Sequence, residues 1–123
     1  MTTGIIVFAH GSRIESANQA VRDVASAVLR PGEPYDHVEA AFLELGQPDL
    51  FGAASRLVVA GSRRILVIPY FLTLGLHMER DLPRLVEETA RQFPGVEFLV
   101  SPPLDGHPAL ALILIDRARE ALG

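Results

Sequence analysis

Residues Ile5–Arg13 read I-I-V-F-A-H-G-S-R. Ile5–Ala9 is an unbroken apolar run, rich in β-branched and aromatic side chains and bounded by Gly11. Such a run reads as a strand buried on both faces, as in the middle of a parallel sheet. A helical pattern follows at once, so His10 stands where a central strand gives way to a helix. In open α/β sheets that is the crevice where ligands bind.

Outward from this stretch, Ala17, Val21, Val24, Ala25, Val28 and Leu29 recur at helical spacing, with Arg22 and Asp23 on the other face. Ser12 with Glu15 forms a capping-box pattern for that helix, and Pro31-Gly32 and Pro34 end it. Val38–Leu43 reads as a second strand, finishing at Glu44 before Gly46-Gln47-Pro48. Leu50, Ala54, Leu57 and Val58 mark a second helix, ended by Gly61. Arg64–Phe71 is a third strand, and a loop, Leu72–His77, carries Gly75. Leu82, Leu85, Val86 and Phe93 give a third helix, with Asp81 as its cap and Pro83 in its first turn. Val96–Val100 is a short fourth strand. Pro108 opens a last helix running to about Leu122.

The alternation predicts one α/β domain over residues 1–123, with a flavodoxin-like fold. Its mostly parallel four-stranded sheet carries helices on both faces, joined by right-handed crossovers. The first and third runs are the most apolar and should be central neighbours. The strand order is then 2-1-3-4, with the topological switch point between strands one and three. His10 ends strand one, Glu44 ends strand two, and Tyr70–His77 leaves strand three. Two histidines and a carboxylate thus converge on one edge of the sheet.

With 49% hydrophobic and 21% charged residues, the chain is globular rather than disordered. The absence of cysteine excludes disulfides, thiolate metal sites and thiol catalysis, and fits a cytoplasmic protein. No signal peptide is expected, because Met1–Gly4 is uncharged and the following apolar run stops at His10. The longest apolar run, Ala109–Ile115, is too short to span a bilayer. A net charge of −4 argues against nucleic-acid binding. All eleven basic residues are arginine, which removes lysine chemistry. The mean hydropathy of +0.26 is high for so short a chain. It points to a further buried surface, most simply a subunit interface, as does a last helix that is apolar on every side.

His10, His77 and Glu44 are deprotonatable ligands suited to borderline divalent metals, and imidazole also serves as a general base near neutral pH. Capping or solvation accounts for His37 and His107. The Gly11-Ser12 turn reads either as an anion site at a helix N-terminus or as a tight turn and cap. Arg13 either pairs with a ligand carboxylate or lies in solvent. Pro69, Tyr70 and Phe71 form either a flat wall for an aromatic ligand or part of the sheet core. Ala9 stands where the histidine phosphatase signature has an arginine. No Walker loop, dinucleotide fingerprint or nucleophile elbow is present.

Several motifs then occur in order: His10-Gly11-Ser12-Arg13 with Asn18, Phe42-Leu43-Glu44 with Pro48, and Pro69-Tyr70-Phe71-Leu72. Gly75-x-His77, Asp81-x-Pro83 and Gly106-His107-Pro108 follow. Together they resemble the short form of the sirohydrochlorin cobaltochelatases, which are class II tetrapyrrole chelatases. The resemblance implies an enzyme of tetrapyrrole biosynthesis, its product feeding cobalamin biosynthesis, sirohaem or a nickel tetrapyrrole. It would insert a divalent metal into sirohydrochlorin or a related tetrapyrrole, with Co2+ first and Ni2+ or Fe2+ as alternatives. The metal is a co-substrate, and no organic cofactor is implied. His10 and His77 would be the metal- and proton-handling pair, with Glu44 as the third catalytic group. Gly11, Ser12, Arg13, Tyr70, Phe71 and Gly75 would contact the macrocycle. Two copies would face each other as a homodimer, as the two domains of the long family members do. A carrier that holds tetrapyrrole or metal without joining them is the alternative.

Overall fold

The computed structural model describes residues 2–123. β1 (Thr2–Ala9) lies inside the sheet because nothing in it interrupts burial: Ile5, Ile6, Val7, Phe8 and Ala9 are all buried. Along the chain follow α1 (Glu15–Val28), β2 (His37–Phe42), α2 (Leu50–Val59) and β3 (Ser62–Pro69). Then come α3 (Gly75–Ala90), β4 (Glu97–Val100) and α4 (Ala109–Leu122). The sheet order is β2-β1-β3-β4 and every pairing is parallel. The predicted α/β architecture and its 2-1-3-4 order are therefore the observed ones.

Side-chain alternation divides the core between the two faces. Ile6 and Phe8 of β1, with Ile65 and Val67 of β3, meet Leu50, Ala53, Ala54 and Leu57 of α2 and Met78, Leu82 and Val86 of α3. On the other face Ile5, Val7 and Ala9 meet Ala40 and Phe42 of β2 and Ala25 of α1. α4 buries none of its residues among those described. Asp49 caps α2 by accepting a 2.8 Å bond from the Gly52 N–H. Among the described residues no helix is long and apolar enough to cross a membrane.

Two helix starts differ from expectation. The capping box of Ser12 and Glu15 does not form: α1 begins at Glu15, behind an Ile14 without a side-chain cap. Competition from Asn18 explains it. Asn18 is 1% exposed, its Oδ1 accepts from the Ser12 N–H at 2.9 Å, and its Nδ2 donates to the Ser12 carbonyl at 2.8 Å. Ser12 Oγ instead accepts from the Ile14 N–H at 3.1 Å, closing a turn ahead of the helix. Glu15 turns to the Arg22 guanidinium, whose hydrogen bond holds its carboxyl below the usual range.

α3 begins at Gly75 rather than near Asp81, so His77 lies in its first turn and not in a loop. Met78 is the physical reason: with Leu82 and Val86 it completes a buried stripe at i, i+4 and i+8. Pro83 is then interior to the helix, where its missing N–H leaves one helical bond unmade. Asp81 caps nothing; it sits mid-helix as an ion-pair partner.

Candidate functional site

The turns that leave the carboxyl ends of β1, β2 and β3 carry the candidate residues. The parallel ladder between β1 and β2 runs on past their ends. The Leu43 N–H donates to the Ala9 carbonyl at 2.9 Å and the Glu44 N–H to the His10 carbonyl at 3.1 Å. His10 and Glu44 are therefore fixed side by side through their backbones. Their side chains meet as well, with His10 Nε2 at 3.7 Å from Glu44 Oε1 and each group 58% exposed. Such a pair is open to a ligand and can pass a proton or hold a cation.

Gly11 permits this approach. Its φ of 98° is left-handed, and a Cβ there would lie 1.7 Å from the Glu44 carbonyl oxygen. Asn18 fastens the arrangement from below, since its Nδ2 also donates to the Leu45 carbonyl at 2.9 Å. Leu45 itself holds a left-handed φ of 59°, a strained conformation for leucine.

β3 delivers the remaining candidates. The Tyr70 N–H donates to the Phe8 carbonyl at 2.7 Å, which seats the end of β3 against β1. Gly75 opens α3 with a left-handed φ of 76°. His77, 93% exposed on its side chain, pairs through Nε2 with Asp81 Oδ2 at 3.0 Å. Asp81 also faces Arg84 at 3.5 Å. A hollow of about 390 Å3 lies alongside, lined by Leu74, Gly75, Leu76, Glu79, Pro103 and Asp105.

His10 thus stands with Glu44, and His77 with Asp81, in two separate pairs at the same edge of the sheet. Among the described residues no three His, Asp or Glu side chains are gathered as a ready metal cage. The Ser12 N–H is spent on Asn18, so the turn keeps less anion-binding capacity than a free helix N-terminus. Arg13 is exposed and makes no ion pair among the described residues. Tyr70 and Phe71 belong to opposite core layers, Phe71 lying edge-on to Phe8 at 6.4 Å. They do not form one flat wall. His107 Nδ1 accepts from the Ala109 N–H at 3.0 Å ahead of α4, one of the two roles, capping or solvation, open to it from its position in the sequence.

Two features escape sequence reasoning. Asp81 is the partner of His77, a relation visible as i, i+4 spacing only once α3 is known to begin at Gly75. Ile14, Leu45, Leu72 and Leu76 lie more than half exposed on the turns around His10, Glu44 and His77.

The CbiX family profile matches residues 4–121. The chain is 34% identical over 119 residues to the chloroplastic sirohydrochlorin ferrochelatase of Arabidopsis thaliana, covering 97% of this chain and 52% of that relative. It thus spans about half of the plant protein. It is 30% identical to the sirohydrochlorin cobaltochelatase of Methanopyrus kandleri, covering 97% of this chain and 96% of the other. A solved putative cobalamin biosynthesis CbiX protein from Marinobacter aquaeolei superposes with a TM-score of 0.82 at 28% identity, over 98% of this chain and 97% of that one. SirB from Bacillus subtilis, solved with Fe3+, gives a TM-score of 0.70 at 28% identity, over 84% of this chain and 40% of its own.

Proposed function

The chain belongs to the CbiX family, and on that premise we propose that it is a sirohydrochlorin metal chelatase, residues 1–123 acting as one chelatase domain. Insertion strips water from a divalent ion and removes two pyrrole protons as the ring nitrogens take the metal. The observation that carries the reading is the His10–Glu44 pair, 3.7 Å apart at an exposed sheet edge, with His77 on the neighbouring turn. His10 and His77 hold the incoming ion and leave positions open for ring nitrogens. Glu44, beside His10, accepts a proton. The exposed Ile14, Leu45, Leu72 and Leu76 suit the apolar face of a macrocycle. Arg13 faces its carboxylates, with Gly11, Ser12, Tyr70, Phe71 and Gly75 shaping the turns beneath.

Cobalt is the metal proposed, within cobalamin synthesis, since archaeal relatives of matching length are named for it. The plant relative is named for iron, so iron(II) and nickel are the competitors. The cytoplasm is the compartment proposed, on the absence of cysteine. A macrocycle exceeds what one exposed edge can enclose, and we take the working unit as a homodimer.

Sirohydrochlorin supplied anaerobically with cobalt, nickel or iron(II) tests the reading. Catalytic amounts of protein are expected to convert many equivalents, fastest with cobalt, as followed by visible absorbance. Conversion that stops at one equivalent per chain would identify a carrier instead. Glu44→Gln keeps the shape of the group and removes its basicity. It is expected to slow insertion by about ten- to a thousandfold while macrocycle binding changes little. An unchanged rate across the pH range would leave Glu44 without the proton-accepting role.

A further inference from the structure

The two imidazoles at this edge are held in different ways. His10 Nε2 lies 3.7 Å from Glu44 Oε1, too far for a hydrogen bond, and both side chains are 58% exposed. Glu44 and the His10 Nε2 thus both remain open to a ligand. His77 Nε2 lies 3.0 Å from Asp81 Oδ2, within hydrogen-bond distance, and the exposure is unequal, 93% for His77 against 25% for Asp81. The other oxygen, Asp81 Oδ1, faces Arg84 Nη2 at 3.5 Å. Asp81 has both oxygens engaged within its own helix, so any part it takes in the chemistry passes through His77.

The sequence brings this pair together through α3. Residues four apart share a helix face, and each Cα–Cβ bond leans toward the N-terminus. The Asp81 side chain therefore reaches back over the turn that carries His77. Met78 and Leu82, each one place beyond a member of the pair, are buried against the sheet. They set the rotation of the helix, and with it the face on which His77 and Asp81 meet.

We propose that Asp81 is a positioning residue for His77: it takes the Nε2–H and leaves Nδ1 unprotonated as the nitrogen offered to the metal. A neutral imidazole carries its proton on one nitrogen only, and the hydrogen bond made by one nitrogen decides what the other presents. A carboxylate partner also fixes the orientation of the ring and raises the basicity of the ligating nitrogen. Without Asp81 an imidazole this exposed turns freely and divides its time between tautomers. The two carboxylates of the edge then divide the work, Glu44 meeting the ligand itself and Asp81 acting only by way of His77.

The competing account is a surface ion pair with no further role. Glu87 and Arg91 form such a pair at the same spacing on the same helix, 3.3 Å apart, both about two-thirds exposed. Exposed pairs of that kind contribute little. The Asp81 carboxylate differs in being sheltered and in serving two partners at once.

The inference rests on the metal-holding role proposed for His77, and its first test needs no macrocycle. Cobalt(II) is titrated into the chain and followed by calorimetry. Asp81→Ala is expected to weaken cobalt binding by about ten- to a hundredfold, the usual cost of losing such a partner, with the melting temperature little changed. In a His77→Ala background the same substitution is expected to add nothing, since the two act as a unit. Asp81→Asn keeps an oxygen that accepts the Nε2–H and is expected to recover most of the affinity. Glu87→Ala, which breaks the comparison pair, is expected to bind cobalt as the unsubstituted chain does. In insertion assays kcat should follow the same order while the KM for sirohydrochlorin stays constant. If His77→Ala binds weakly but Asp81→Ala binds as tightly as the unsubstituted chain, the positioning role alone is overturned. A further loss in the double variant, or an Asn variant as weak as the Ala variant, overturns it equally. Undiminished cobalt affinity in His77→Ala, or no cobalt binding by the unsubstituted chain, overturns the metal-holding role of His77 and the inference with it.

Discussion

Alanine at either His10 or His77 is expected to cut the initial rate of cobalt insertion by about a hundredfold or more, within the range positioned proton-transfer groups supply. The two side chains occupy separate turns at one sheet edge and each already faces a carboxylate, Glu44 at 3.7 Å and Asp81 at 3.0 Å. If both imidazoles serve one ion, loss of either removes the productive geometry. The double variant should then be little slower than each single one, because groups acting as a unit are non-additive. Insertion should also slow on acidification, since only an unprotonated imidazole binds metal. His37→Ala, on β2 and away from these turns, is expected to keep its rate. Initial rates by absorbance, with circular dichroism to confirm folding, decide the matter. Folded His10→Ala and His77→Ala proteins that both match the unsubstituted rate would remove the proposed mechanism.

Gly11→Ala is expected to be the most damaging change of a single methyl group. Its left-handed φ of 98° costs an alanine about 1–2 kcal/mol. The new Cβ, 1.7 Å from the Glu44 carbonyl oxygen, must also force the two turns apart. Overpacking of this kind adds about 1–3 kcal/mol. A fall in melting temperature of about 10 °C is expected, with activity lost as Glu44 moves off His10. Gly95→Ala is the control. Gly95 holds a similar φ of 88°, but nothing lies within 4 Å of its would-be Cβ. It bears the conformational cost alone and should melt well above Gly11→Ala. Equal melting temperatures would mean that the turns yield without resistance.

The strand order was legible because the two most apolar runs, Ile5–Ala9 and Ile65–Ile68, carry no polar interruption and are the central neighbours, although only β1 is buried on both faces. The placement of His10 and Glu44 at one edge follows from that order alone. The start of α1 was hidden because the competitor for Ser12 is Asn18, a residue that looks polar and solvent-facing in sequence yet is buried. α3 was read short because Met78 is a lone apolar residue among His77, Glu79 and Arg80, and its stripe becomes visible only with the helix in place. Pro83 reinforced the error, since proline is most often read as a helix opener. The exposed Ile14, Leu45, Leu72 and Leu76 resemble core residues in sequence, so their exposure had no signal. The position of α4 was legible from Pro108 and the apolar run Ala109–Ile115, yet the helix buries none of its residues among those described.

The Asn18 carboxamide has a dynamic consequence. It bonds the turn after β1 through Ser12 and the turn after β2 through Leu45. The backbones that carry His10 and Glu44 are therefore tied to each other rather than left as two independent loops. The entropy of bringing them together is lost when the chain folds, before any ligand arrives. A guest that reaches this edge meets His10 and Glu44 on backbones already tied together.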